Sequence, residues 1–209
     1  ITAAAMANPG MSAWAALVKR AGMKAGETVL INGATGSAGQ LAVQIARFLG
    51  ARKVIACGRN VEKLAALGAD ETVNLSQDEA DLRTQFAGLA AQQIDVVVDY
   101  LWGRSAELLL PALAKHSPGN APVRFIQVGS LSAADISLNG AVLRSSPLQL
   151  MGSGIGSLSV PQLLAATGEM LQAAVAGGLT IATTPRPLRE VATAWPQDDS
   201  QKRTVFVVD

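Results

Sequence analysis

A glycine-rich turn near the start of the chain has the composition of a phosphate-binding loop. Residues 34–39 read ATGSAG, and Gly33 stands immediately before them. Glycines let the main chain turn tightly and approach a ligand closely, and the following helix directs free N–H groups and its positive dipole end at the same point. The turn fits the dinucleotide-binding fingerprint, with alanine at its first position. It therefore predicts a pyrophosphate site.

The residues expected to bind the dinucleotide here are Thr35, Gly36, Ser37, Ala38 and Gly39. Gly39 has a second expected role, because a glycine at this place lets the helix pack closely on the preceding strand. The alternative is an ordinary glycine-rich turn between a strand and a helix. A nucleoside triphosphatase loop is not expected, since no Gly-Lys-Ser or Gly-Lys-Thr follows the glycines.

A second group of chemistry-bearing residues follows the next apolar run. Where an NAD site usually has an acidic residue for the ribose hydroxyls, this chain has Gly58, Arg59 and Asn60, and Lys63 lies one helical turn further on. Arginine can stack on adenine and pair with a 2′-phosphate. We therefore expect these four residues to contact NADPH. The alternative for Arg59 is a solvated loop residue.

Strands that alternate with helices position these two groups. The apolar pattern predicts strands at 28–31, 53–57, 71–75, 94–99, 123–128 and 148–151. It predicts helices at 12–21, 41–49, 62–67, 78–89, 105–114 and 161–176, and terminal strands at 180–183 and 204–208. The strands lack a polar face, which is typical of a parallel sheet covered on both sides. The expected fold class is α/β, a Rossmann-type doubly wound sheet in three layers.

Composition excludes several classes of protein. The chain has 209 residues, of which 49% are hydrophobic and 16% charged, with a net charge of +1. It is neither disordered nor fibrous, and its charge gives no case for nucleic-acid binding. No apolar stretch approaches the roughly 18 residues of a membrane span. Its single cysteine, Cys57, cannot form an internal disulfide, so we expect a cytoplasmic protein.

The beginning of the chain is unusual for a complete protein. It starts at Ile1 inside an alanine-rich helical pattern, with no initiator methionine and no basic leader. We expect that the chain was cut from something longer, the alternative being a processed terminus. The chain contains no repeat and no long linker, so residues 1–209 are interpreted as one NAD(P)-binding domain with flanking segments.

The combined motifs resemble a known family. Residues 26–74, together with NPGMSAW at 8–14 and DVVVDY at 95–100, are similar to the quinone oxidoreductase-like branch of the medium-chain dehydrogenase/reductases. In that family a GroES-like catalytic domain accompanies a Rossmann domain. The chain resembles the Rossmann part and its return to the catalytic domain, and the preceding GroES-like part is not in it.

The resemblance implies further contacts and an absence of zinc. It places cofactor contacts after the fifth and sixth strands and before the last one, at Val128, Gly129, Ser130, Gly152, Ser153 and Arg203. By register, Asn8 occupies the place of a catalytic zinc ligand, and an amide is a poor one. His116 is interpreted as a solvated loop residue and Asp99 as structural. We expect no metal site, and no catalytic residue is identified.

The function expected from the resemblance is zinc-independent oxidoreduction. NADPH would supply hydride to a quinone or to an activated carbon–carbon double bond of a small-molecule substrate. The alternatives are a non-catalytic NADPH-binding module and an enoyl reductase domain of a multifunctional synthase. We expect the chain alone to be inactive, since the substrate cleft of this family lies between two domains. A homodimer paired through the edge strand 148–151 is expected.

Overall fold

Six short segments form one parallel sheet. The computed structural model describes residues 1–119, 122–197 and 202–208. The strands are β1 (Thr28–Asn32), β2 (Lys53–Gly58), β3 (Glu71–Asn74), β4 (Val96–Asp99), β5 (Arg124–Gln127) and β6 (Gln149–Gly152). Their order in the sheet is β3-β2-β1-β4-β5-β6, which is that of a Rossmann fold. The predicted fold class is therefore confirmed, with strand boundaries displaced by one or two residues.

Alternate residues of each central strand enter two separate cores. On β1, Val29 and Ile31 join one apolar cluster, and Leu30 joins the other. On β4, Val97 faces the same side as Leu30. These residues are fully buried, because helices cover both faces of the sheet. Because both faces of these strands are buried, successive residues are apolar, and the sequence shows continuous apolar runs.

The helices complete the three layers. They are α1 (Thr2–Trp14), α2 (Ser37–Phe48), α3 (Val61–Ala66), α4 (Glu79–Ala91), α5 (Gly103–His116), α6 (Ala141–Arg144), α7 (Val160–Gly177) and α8 (Val191–Ala194). Helices α1, α2 and α7 pack on one face of the sheet, and α4 and α5 pack on the other. The sequence pattern missed α6 and α8, because each is a single turn too short to show a period. No helix in the described part of the chain is long and apolar enough to cross a membrane.

The first helix differs from the prediction. A helix was expected at 12–21, but α1 runs from Thr2 through Pro9 to Trp14 and continues as a π-helix over Ala15–Arg20. The side chain of Ser12 lies inside the helix and donates a hydrogen bond to the Pro9 carbonyl at 2.9 Å. Burial of Ala5, Pro9 and Ala13 along one face, at four-residue spacing, stabilises the helix across the proline.

The last strands also differ from the prediction. The strand expected at 180–183 lies at Thr183–Pro187 (β7), and its partner is Arg203–Val207 (β8). These two strands form a separate parallel pair outside the six-stranded sheet. Because of Pro185 and Pro187, the sequence pattern did not predict a strand over these residues. Proline cannot donate to a ladder and is tolerated only where its missing N–H would face outward.

Candidate functional site

The carboxyl ends of five strands form one row across the sheet. Asn32 of β1 pairs in register with Cys57 of β2 and with Asp99 of β4, and the row continues through Gln127 to Gly152. Strand order reverses between β1 and β4, so the loops that follow these two strands lead to opposite faces of the sheet. Such a switch point opens a crevice for ligands in doubly wound folds.

Gly33 begins the turn that leads into this crevice. Its φ is +95°, a conformation that favours glycine. Its N–H and that of Ala34 both donate to the Cys57 carbonyl, at 3.0 and 2.8 Å. A Cβ on Gly33 would lie 3.0 Å from Leu101 Cγ. The residue is therefore a glycine both for its backbone angle and for the close approach of the loop after β4.

Gly36 and Gly39, three residues apart, serve different purposes. A Cβ on Gly39 would lie 2.2 Å from the Gly33 carbonyl oxygen and 2.6 Å from Ala34 Cα, so this glycine lets α2 pack against the turn. A Cβ on Gly36 would meet nothing nearer than the Gly33 oxygen at 3.9 Å. Gly36 is the N-cap of α2, and no side chain caps this helix. The first-turn N–H groups of α2 therefore have no side-chain acceptor.

The end of β2 closes the opposite side of the crevice. A Cβ on Gly58 would lie 2.7 Å from Thr35 Cγ2, so a glycine is needed where β2 meets the turn after β1. The Asn60 side chain accepts a hydrogen bond from the Lys63 N–H at 2.9 Å and caps α3. Arg59 is exposed, and in the described part of the chain neither its side chain nor that of Lys63 has an ion-pair or hydrogen-bond partner.

These loops enclose a cleft of about 380 Å³. The predicted residues that line it are Thr35, Gly36, Gly58, Arg59, Asn60 and Lys63. Two of them carry charge, both positive, and no carboxylate is among the lining residues. The cleft therefore combines an uncapped helix N-terminus with two unpaired cations, an arrangement suited to a polyanionic ligand.

The other predicted contacts do not line this cleft. Ser37, Ala38 and Gly39 form the first turn of α2. Val128 and Gly129 follow β5 and donate their N–H groups to the Asp99 carbonyl, at 2.7 and 3.1 Å. The remaining members are Ser130, Gly152, Ser153 and Arg203. Ser130 is exposed, Ser153 is buried beside Gly152 at the end of β6, and Arg203 begins β8 in the separate two-stranded pair.

Besides Gly33, which stands next to the predicted turn, three lining residues escaped prediction. They are Leu101, Leu131 and Ser132. Leu101 follows β4, and the two others lie beyond the predicted segment 128–130. The Ser132 N–H donates to the Leu101 carbonyl at 2.8 Å, and the Leu131 N–H donates to the Tyr100 carbonyl at 3.3 Å. These bonds fold the loop after β5 back over the loop after β4. The position of Leu101, two residues after a strand's carboxyl end, was the one available signal.

Asp99 is buried at the row of strand ends and holds the chain around it. Its Oδ1 accepts hydrogen bonds from the Asn32 side-chain amide at 2.8 Å and from the N–H of Leu101 at 2.9 Å. The Trp102 N–H contacts both carboxylate oxygens, at 3.1 and 3.2 Å. Burial raises the pKa of Asp99, and the donated hydrogen bonds oppose this shift. These contacts agree with the structural role predicted for it.

The metal-capable residues are dispersed. Cys57 is buried in the sheet, where desolvation, with the neighbouring Asp99 carboxylate, raises the pKa of its thiol. His116 is exposed as predicted, but it ends α5 and does not lie in a loop. Asn8 is exposed on α1. Over residues 1–119, 122–197 and 202–208, no three histidine, cysteine, aspartate or glutamate side chains are grouped so that they could hold a metal ion.

Known proteins are similar to this chain in sequence. Residues 38–169 match the family described as zinc-binding dehydrogenase. A probable NADPH-dependent quinone reductase, tdiC of Emericella nidulans, is 31% identical over 100% of this chain and 61% of its own length. The trans-enoyl reductase pgmF of Aspergillus terreus is 32% identical over 63% of this chain and 35% of its own length.

A solved structure also has a fold similar to that of this chain. The quinone oxidoreductase of Thermus thermophilus, known alone and with NADPH, superposes with a TM-score of 0.68 at 25% identity, over 93% of this chain and 60% of that one. The chain thus spans less than two thirds of each relative's length. From the matched residues and the shared fold, the chain belongs to the zinc-binding dehydrogenase family, in the quinone oxidoreductase-like branch of the medium-chain dehydrogenase/reductase superfamily.

Proposed function

We propose that this chain is the NADPH-binding domain of an oxidoreductase whose substrate is a quinone or an activated carbon–carbon double bond. The observation that carries the proposal is the cleft at the strand ends, which places an uncapped helix N-terminus beside two unpaired cations. The names of tdiC and of the Thermus thermophilus enzyme, both tied to NADPH and quinone reduction, support the same cofactor and substrate class.

The lining of the cleft fits a phosphorylated dinucleotide. The open space at Gly36 and the free N–H groups of Ser37 and Ala38 would accept the pyrophosphate. Arg59 and Lys63 would hold a 2′-phosphate, since a guanidinium offers paired donors to phosphate oxygens. Thr35, Gly58 and Asn60 would border the adenosine half.

The second half of the cofactor would extend along the row of strand ends. We propose that the nicotinamide is held by residues that follow β5 and β6, namely Val128, Gly129, Ser130, Gly152 and Ser153. Arg203 lies outside this row, and we propose for it a contact from the separate strand pair. When bound, NADPH supplies hydride to the substrate. The chain's own contribution is orientation and the exclusion of water on one side of the reacting carbons.

A trans-enoyl reductase among the relatives favours a second candidate, reduction of an enoyl thioester. The two candidates differ in the acceptor and share the cofactor site. Both would proceed without zinc, because the exposed amide of Asn8 is a poor ligand and the single cysteine is buried within the sheet.

We propose a cytoplasmic location for the protein.

The test measures cofactor binding and turnover separately. Calorimetry with NADPH on this chain should give saturable binding at one site. NADPH oxidation is then followed for this chain and for the full-length product of its gene, with a quinone, an enone and an enoyl thioester, each with and without a metal chelator.

We expect binding by both proteins and turnover by the longer one alone, because hydride transfer needs the substrate held against the nicotinamide. The acceptor that is reduced fastest decides between the two candidates. Absence of NADPH binding by a folded chain would refute the proposed function, and inhibition by the chelator would refute zinc independence.

We also propose that two copies pair through β6. This strand lies at the edge of the sheet, and its inner side is bonded to β5 through the N–H groups of Gln149 and Ser153. Alternation leaves the N–H and carbonyl of Leu150 facing outward. Arg20 Nε donates to the Gly152 carbonyl at 2.8 Å, so part of this edge is already covered from within the chain.

Leu150→Pro should convert the dimer to a monomer, since it removes an outward donor and leaves the bonds to β5 in place. The measurement is the mass in solution by light scattering at micromolar concentration, with circular dichroism as the check on folding. A wild-type chain that is already monomeric, or a folded variant that remains dimeric, contradicts pairing through this edge.

A further inference from the structure

A hydrogen-bonded clamp joins β1 and β4 at the switch point of the sheet. Asn32 and Asp99 are partners in register, and both are fully buried. The Asn32 side-chain amide donates to Asp99 Oδ1 and to Ser105 Oγ, each at 2.8 Å. Ser105 Oγ in turn donates to the Trp102 carbonyl at 3.3 Å. None of these three side chains is among the described residues that line the cleft.

The donors in this clamp have a definite direction. Asp99 receives hydrogen bonds from the Asn32 amide and from the main-chain N–H groups of Leu101 and Trp102. The two oxygens of the Asp99 side chain accept all of them. The Asn32 amide donates to two oxygens at once, those of Asp99 and Ser105. Asp99 is therefore the acceptor of this clamp, and the Asn32 amide is a donor to it.

The clamp is bonded to the turn after β4, which carries one wall of the cleft. Trp102 has a φ of +58°, which a tryptophan rarely adopts, so the turn after β4 is a strained one held by its contacts. Leu101 lines the cleft and lies against Gly33, at 3.0 Å from the place of a Cβ there. Ser132 is attached to Leu101 by its N–H, at 2.8 Å. Movement of the turn would therefore displace Leu101 and Ser132 together.

From this arrangement we infer that Asp99, locked by Asn32, is a positioning residue for the adenosine side of the cleft. It acts through the main chain of Leu101 and Trp102 and touches no ligand itself. The inference rests on the proposed NADPH site and adds to it a residue that sets the width of that site. Loss of the carboxylate would let the strained turn relax and would move the two lining residues away from Gly33.

The test uses adenosine 2′,5′-bisphosphate, which carries the adenosine half and both of its phosphates. Asp99→Ala should weaken its binding about tenfold, because the relaxed turn no longer holds Leu101 and Ser132 against the cleft. Asp99→Asn keeps an oxygen acceptor for Leu101 and should recover part of the affinity. The matched control is Asp95→Ala, which removes a carboxylate that accepts the Thr28 N–H at 2.7 Å at the amino end of the same strand pair.

Amide hydrogen exchange supplies a readout that needs no ligand. In Asp99→Ala the N–H groups of Leu101, Trp102 and Ser132 should exchange at least about tenfold faster, with those of β1 unchanged. If the wild-type chain fails to bind the probe, the proposed function is wrong, and the exchange result still judges the clamp. Unchanged exchange at these three amides, or equal loss of affinity in Asp99→Ala and Asp95→Ala, would overturn the inference.

Discussion

Replacing Gly39 by alanine is expected to lower the free energy of unfolding by about 3 kcal/mol. The added Cβ would lie 2.2 Å from the Gly33 carbonyl oxygen and 2.6 Å from Ala34 Cα, and both are main-chain atoms that cannot rotate away. Helix α2 would have to shift from β1, opening the core around it. Urea denaturation of the two proteins measures the effect.

Gly36→Ala is the matched variant, and we expect it to lower NADPH affinity with little effect on the free energy of unfolding. Gly36 has φ −80° and ψ 165°, which alanine adopts freely, and its Cβ would meet nothing closer than 3.9 Å. Stability should change by less than about 1 kcal/mol, because the lower backbone entropy of unfolded alanine is offset by its weaker preference for an N-cap position. NADPH affinity should fall at least about tenfold, because the methyl group occupies space needed by the pyrophosphate. Calorimetry that finds unchanged affinity in a folded Gly36→Ala would place the dinucleotide elsewhere.

Arg59→Ala should remove a preference for NADPH over NADH of about tenfold to hundredfold, as expected for a charge-assisted bond worth about 1.5–3 kcal/mol. The guanidinium lines the cleft and, in the described part of the chain, has no carboxylate to compete with a phosphate for it. The ratio of the two dissociation constants, from calorimetry at one ionic strength, is the quantity to measure. NADH affinity should change little.

Two further variants separate geometry from net charge. Arg59→Lys keeps the charge and loses the paired donors, so an intermediate ratio is expected. Arg83→Ala removes the same charge from the exposed face of α4, where Arg83 pairs with Glu79 at 2.8 Å, and it should leave the ratio unchanged. Equal affinities for both cofactors in the wild type, or the same ratio in Arg59→Ala, would contradict the role of Arg59.

Sequence patterns predicted the sheet well because its central strands are buried on both sides. Continuous apolar runs such as 29–31 and 96–98, set between helical segments, are typical of buried parallel strands, and β1 and β4 lie there. The pattern was wrong at the chain ends, where burial is partial. Helix α1 passes through Pro9 because its buried face packs on α2 and α7, and no local signal reports such packing.

The candidate site likewise has one part that the sequence predicted and one part that it did not. Local sequence determined the turn at Gly33 to Gly39 and the cations at Arg59 and Lys63, because glycine conformation and charge depend on residue type alone. The rest of the site depends on loops that are distant along the chain and meet only when β1, β4 and β5 lie side by side. This part comprises Leu101, Leu131, Ser132 and the hydrogen bond from Asn32 to Asp99. Only the tertiary structure decided these contacts, since a hydrogen bond across 67 residues has no periodicity to reveal it.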